Sequence, residues 1–237
     1  MRTVVFLCLL AGVAHAQDEF EIQVYDSNTA QQGEVGLELH LNHHLIAGAA
    51  NQTHTTFEPH YGVSDWLEVG GYLQSSTARG DALDFAGLKL RAKARLPHRV
   101  WEDRIGLAVN TELSGVPSRF EPAVWGSEIR PIADIQLSHF YASVNPIITV
   151  DLAGDLAGHP QLEPCAKLEV LLARGIGVGL EGYGAFGPFD DLGSENVERG
   201  FAVVDYVGRQ FDLNVGVGLT HGSTDHPAFK LIFAMHP

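Results

Sequence analysis

The sequence predicts an all-β protein: a closed antiparallel up-and-down transmembrane β-barrel of about 12 strands, following a cleaved signal peptide. Three observations predict it. Apolar and polar residues alternate along twelve successive segments, each near the ~9–11 residues that a tilted strand needs to cross a bilayer. The connections between these segments alternate between tight turns and long loops. And the chain carries an export leader, yet keeps only one cysteine beyond it, Cys165, so no intrachain disulfide can staple it.

The leader comes first. Arg2 precedes an apolar run, "VVFLCLLAGVA", which ends in the small-x-small site Ala14-His15-Ala16. That three-part pattern is a secretory signal spanning residues 1–16. No run of 18 apolar residues follows it, so no membrane helix is offered, and alternation hides a barrel from a hydropathy scan. Residues 17–32 are expected to form an N-terminal periplasmic or lumenal segment. Its stretch "DEFEIQVYD" alternates too, but the polar break over 28–33 sets it apart from the wall.

The barrel itself is expected over 33–237. Its strands fall at about 33–43, 53–63, 66–76, 83–96, 103–114, 125–137, 139–151, 162–173, 175–186, 197–208, 210–220 and 227–236. In 34–42, Val35, Leu37, Leu39 and Leu41 share one face while Glu38, His40 and Asn42 share the other. Loops such as 44–52, 114–123, 152–161 and 187–196 are long, whereas Ser64-Asp65 and Gly208-Arg209 are tight. One rim of turns and one of loops is the outer-membrane pattern, with the long loops outside the cell. Only 97–102, "PHRVWE", is long on the turn side.

Segment 87–96, "GLKLRAKARL", sets Lys89, Arg91, Lys93 and Arg95 on one file and Leu88, Leu90, Ala92 and Ala94 on the other. Four cations in file need either water or counter-charges. With the apolar files facing lipid, the neighbouring strands bring Glu58, Glu68, Glu112, Glu128 and Arg130 to the same interior, within reach of cross-strand ion pairs. These nine residues are the expected lumen lining and selectivity determinants. A soluble periplasmic sandwich is the competing reading. It would bury Leu39, Leu90 and Val217 together between two layers.

Other constellations are weaker. His40, His43, His44, His54 and His60 fall close together, and imidazoles suit zinc, copper or nickel. There is no HExxH and no cysteine partner, so no metal is expected; His40, His43, His44 and His54 are the candidates should one bind. Asp190, Asp191, Glu195 and Glu198 read as a solvated acidic loop that lacks calcium-loop spacing. Ser138-His139 and Ser143 are the nearest material for a nucleophile, without G-x-S-x-G, and no enzyme is expected. No catalytic residue and no cofactor are assigned. The net charge of −14 argues against nucleic acid.

The stretches "EIQVYDSNTAQQGEVGLELHLN", "FEPHYGVSDWLEVGGYLQ", "LKLRAKARLP", "WGSEIRPI" and "YASVNPIITVDL" together resemble an uncharacterised family of proteobacterial outer-membrane β-barrels. That family is related to transporters linked with meta-pathway phenol degradation. The resemblance spans roughly 20–185 and is most specific at Tyr61–Trp66 and Trp125–Pro131. It implies an outer-membrane barrel passing small organic solutes, with no catalytic residues. Many such barrels end on an aromatic residue; here Phe233 stands four residues before the end. The expected partners are outer-membrane lipid and lipopolysaccharide, the barrel-assembly machinery and a small solute. The expected function is passive passage or binding of that solute, the alternative being a plugged structural or adhesive barrel.

Overall fold

In the computed structural model the strand ladder closes on itself. The structure describes residues 19–46, 49–77, 82–120, 123–154, 157–194, 197–221 and 226–235, so the leader lies outside it. Among the described residues the strands are β1 (Val35–His44), β2 (Gln52–Ser64), β3 (Leu67–Ser76), β4 (Asp84–Arg95), β5 (Ile105–Gly115), β6 (Trp125–Gln136), β7 (Phe140–Asn145), β8 (Ile148–Asp151), β9 (Pro160–Leu162), β10 (Cys165–Leu171), β11 (Ile176–Ala185), β12 (Val197–Val207), β13 (Phe211–His221) and β14 (His226–Met235). Each pairs antiparallel with its neighbours, and β1 pairs with β14 from Leu37↔Met235 to His44↔Ala228, sealing the cylinder. Closure removes both sheet edges, so every staves' backbone is paired within the wall, as a bilayer requires.

These fourteen segments make twelve staves. The seventh stave is broken between β7 and β8, and the eighth between β9 and β10, at neighbouring points. Pro146 and Pro164 sit in the two breaks. Proline has no N–H to give the ladder, which is why strands tolerate it at bulges. Across the gap Glu163 N donates to Ile147 O at 2.9 Å. Ile147 continues the inward file of Ser143 and Asn145 and is buried against Ile22, Val24 and Cys165.

Alternation decides which face meets which solvent. Leu39, Leu90 and Val217 are 38, 60 and 51% exposed on the outer surface. They are not sandwiched between layers, so the soluble reading fails. Trp66, Trp101, Tyr206 and Phe211 sit outward near the turn rim and Phe85 and Trp125 near the loop rim, where aromatic girdles meet headgroups. A charge on this face should be costly. Leu90→Arg, in the middle of β4, is expected to lower folding stability in lipid vesicles by about 2–4 kcal/mol. An unchanged urea midpoint would mean that Leu90 does not face hydrocarbon.

Residues 19–32 do not join the wall. They run as an extended segment down the inside of the barrel. At one end Phe20 packs edge-on against Phe120 of the β5–β6 loop (6.4 Å between centroids). At the other, Gln32 N donates to Asp65 Oδ1 in the β2–β3 turn (3.1 Å), and Gly33, at φ +85°, turns the chain into β1. The segment therefore passes from the loop rim to the turn rim. Two wall glycines make room for it: a Cβ on Gly62 would stand 1.9 Å from Gln31 O, and one on Gly106 would stand 1.8 Å from Ser27 Oγ. On the turn rim the exceptional 97–104 connection is a left-handed turn, with Trp101, Glu102 and Asp103 at φ 52°, 57° and 62°.

Candidate functional site

The alternation of "DEFEIQVYD" is put to use across the lumen. Ile22 and Val24 pack with Ile147, Cys165, Tyr183, Phe201, Val203 and Ala228 on one wall. Glu21, Tyr25 and Asp26 turn to the charged wall opposite. There the basic file of β4 meets the segment in step: Lys89 Nζ lies 3.7 Å from Glu21 Oε2, Lys93 Nζ 3.3 Å from Asp26 Oδ1, and Arg95 Nε donates to Thr29 Oγ1 at 3.0 Å. The segment and β4 descend the barrel together. The four like charges are thus matched partly by the wall and partly by an acidic strand-like insert.

Arg91 is held by the wall alone among these four. Its Nε lies 2.6 Å from Glu58 Oε1 and its Nη1 2.6 Å from Glu68 Oε1. Glu58 also faces His40 Nε2 at 3.1 Å, and His40 in turn lies 3.5 Å from Glu38. Lys89 also pairs with Glu112 at 3.3 Å, which accepts from Tyr72 (3.2 Å) and Asn110 (2.8 Å). Arg130 bridges Glu128 (2.6 Å) and Glu21 (3.3 Å). The structure therefore places all nine sequence-predicted lining residues on the inner wall; seven of them fall into two networks, around Arg91 and around Glu21, while Lys93 and Arg95 meet the inserted segment at Asp26 and Thr29. Removing these charges from water is repaid only where each carboxylate finds its cation, and here Arg91 serves Glu58 and Glu68, Lys89 serves Glu112, and Arg130 serves Glu128 and Glu21.

Tyr25 is the centre of the insert. Its N–H donates to Asn145 Oδ1 (2.8 Å), its carbonyl accepts from Ser143 Oγ (2.6 Å) and Asn145 Nδ2 (3.1 Å), and its hydroxyl meets that of Tyr72 at 2.5 Å. Arg130 and Lys93 lie 4.3 and 5.1 Å from its ring centroid, within cation–π range. Lys230 closes the opposite side, donating to Ile22 O at 3.1 Å and pairing with Glu181. The sequence reading missed this role of Tyr25, Glu21 and Asp26. The available signal was the acidic character of Glu21 and Asp26, complementary in charge to the basic file of 87–96.

The other candidates separate. His43 is half-exposed on the outer side and bonds Thr53 Oγ1 at 2.9 Å, and His40 belongs to the Arg91 network, so the four histidines do not form one group. His44 and His54 do meet, with ring centroids 5.3 Å apart. Ser138 Oγ lies 3.0 Å from His139 Nδ1 on an exposed turn, and Ser143 Oγ donates to Tyr25 O at 2.6 Å in the lumen. Cys165 is a buried thiol 3.6 Å from Asn145 Oδ1. Asp190 pairs with His159 at 3.3 Å on the surface, and Glu195 lies outside the described residues.

No protein-family model matches the sequence, and no curated protein matches it. Solved structures do. The COG4313 outer membrane channel from Pseudomonas putida F1 superposes with a TM-score of 0.61 at 11% identity, covering 92% of this chain and 100% of that one. A KdgM porin, solved in complex with disordered oligogalacturonate, superposes at 0.54 and 8% identity, covering 84% and 98%. This chain folds as a twelve-stranded outer-membrane β-barrel. Identities this low carry the architecture and no more, and the apolar outer wall gives the same answer independently, since a bilayer is the solvent that suits it. The barrel sits in the outer membrane, with the lumen charges shielded from lipid by the wall.

Proposed function

We propose that the barrel passes a small organic solute, and that the segment 19–32 is the plug that closes it. The carrying observation is the nature of the filling. A barrel meant to stay solid can fill itself with interlocking wall side chains. Here the filling is one continuous stretch of backbone, covalently joined to the wall only through Gly33, and held elsewhere by hydrogen bonds, ion pairs and apolar packing. The wall behind it is ionic, which suits a water-filled path more than a permanent core. With the plug withdrawn, Lys89, Arg91, Lys93 and Arg130 would face Glu58, Glu68, Glu112 and Glu128 across water and set the selectivity. The aromatic faces of Tyr72, Tyr183 and Phe201 beside Lys89 and Lys230 favour a solute with both an apolar body and an anionic group. That solute class agrees with the small organic molecules implied by the family resemblance.

The test is a reversible lock. Val24 and the native Cys165 belong to one packed cluster, so Val24→Cys places a second thiol beside the first. Oxidation is expected to abolish single-channel openings in planar bilayers, and reduction to restore them. A conductance indifferent to the cross-link would refute the plug. A wild type that never conducts, oxidised or reduced, would establish the permanently filled, scaffold-type barrel instead.

A further inference from the structure

Three histidines and a carboxylate converge at the loop-rim mouth of the lumen. Glu19 comes from the inserted segment, His44 from the end of β1, His54 from the start of β2 and His226 from the start of β14. The register brings the wall residues together: Asn42 pairs with His54, and His44 pairs with Ala228, two residues after His226. One ligand atom each from Glu19, His44 and His54 can be chosen so that all three lie within 4.8 Å of one another. In a tetrahedral zinc site the ligand atoms stand about 3.3 Å apart, given metal–ligand bonds of about 2.0 Å. A modest contraction would suffice.

The hydrogen bonding points to a missing electron-pair acceptor. His44 and His54 are 1% and 3% exposed. His44 Nε2 and both ring nitrogens of His54 have no hydrogen-bond partner, although His54 Nε2 lies 3.2 Å from Glu19 Oε2 in a charge contact. Polar atoms buried this way are costly unless something satisfies them. His44 Nδ1 meets His226 Nε2 at 3.0 Å. A metal-bound imidazole donates its other N–H to an outer partner in just this manner, which fixes the tautomer and frees Nε2 for the ion. Phe20, edge-on to His54 at 4.7 Å, shields the cluster. Arg199 lies 3.8 Å from Glu19 Oε1, leaving Oε2 to the histidine side.

The neighbouring group Glu38, His40 and Glu58 is equally tight, but Glu58 already has a guanidinium at 2.6 Å and His40 a carboxylate on each side. Its facing atoms are already engaged in ion pairs, although His40 Nδ1 has no hydrogen-bond partner. At the mouth, three ring nitrogens of His44 and His54 have no hydrogen-bond partner among the described residues, and no guanidinium of those residues stands within 3 Å of the carboxylate.

We propose that Glu19, His44 and His54, with His226 behind His44, bind one divalent transition-metal ion of the zinc type. Two neutral imidazoles and a carboxylate form a recognised donor set for such ions. Because Glu19 belongs to the inserted segment and the histidines to the wall, the ion fastens the outer end of that segment to the barrel. This second statement rests on the plug reading; the site itself does not.

Chelator-stripped, folded barrel in detergent, titrated with zinc chloride in a calorimeter, is expected to take up one ion per chain, and cobalt(II) at the same site to show the intense visible bands of a four-coordinate centre. His54→Gln and Glu19→Gln are each expected to weaken zinc binding on the order of tenfold or more. His43→Gln, on the outer face, serves as the control and is expected to leave binding intact. A heat-modifiability gel reports that each variant is folded, and Glu19→Gln leaves the wall untouched. Absence of saturable zinc uptake by the wild type, or uptake that survives both substitutions, would overturn the site. The latch has its own readout: zinc is expected to suppress channel openings of the wild type and not of Glu19→Gln. If zinc binds at these residues yet leaves the openings unchanged, the latch is refuted and the site stands; if the Val24→Cys lock has no effect, the plug reading falls on separate grounds.

Discussion

Deleting residues 19–31 is expected to raise the conductance of the barrel in planar bilayers on the order of tenfold or more, from brief openings to a steady open level. The deletion keeps Gly33 and every wall strand, so closure of the ladder by β1 and β14 is unaffected. What it removes is the set of groups that fill the lumen: the Ile22 and Val24 side chains, the Tyr25 ring between Arg130 and Lys93, and the carboxylates of Glu21 and Asp26. Lys89, Lys93 and Arg130 then lose part of their compensation and regain water. Loss of anionic groups should also turn the open lumen toward anions, which a reversal potential across a salt gradient reads directly. If the truncated barrel folds, as judged by its mobility before boiling, and conducts no better than the full chain, side chains of the wall close the path and the segment is ornament.

Arg91→Met is expected to destabilise the folded barrel by about 3–5 kcal/mol, the largest effect of a single lumen substitution. The magnitude comes from what is left behind. Glu58 and Glu68 each lie 2.6 Å from the guanidinium, both nearly sealed from solvent, while Lys89 and Lys93 are already paired with Glu112 and Asp26. A methionine fills similar volume, so packing changes little and charge accounts for most of the loss. Unfolding in urea from lipid vesicles measures it. Adding Glu58→Gln to Arg91→Met should recover part of the loss, because a neutral amide needs no cation, and that coupling separates charge from shape. A cost below about 1 kcal/mol would mean that water reaches this network freely and that the pair behaves as a surface ion pair.

The wall was readable because its determinants are local. Period-two alternation assigns each residue of a strand to one of two faces, and turn or loop length sets the rim, so twelve staves, their order and the lipid-facing files follow from short windows. Even the inward direction of Lys89, Arg91, Lys93 and Arg95 is a property of one decapeptide. Where a strand is interrupted, the reading slips by a few residues: Pro146 and Pro164 each split a stave into two segments, while the inward file of Ser143, Asn145 and Ile147 keeps its period of two and ends on an apolar residue.

The contents of the lumen were decided elsewhere. Lys89 meets Glu21, Lys93 meets Asp26, and His44 meets both His54 and His226, across separations that run from ten residues to nearly the whole chain. Nothing in the alternation of "DEFEIQVYD" tells a thirteenth stave from an insert, since both present one apolar and one polar edge. The sequence by itself determined the cylinder, because facing is set residue by residue along a strand. Only closure of that cylinder decided what occupies it, because opposite walls become neighbours only once the first stave and the last have paired.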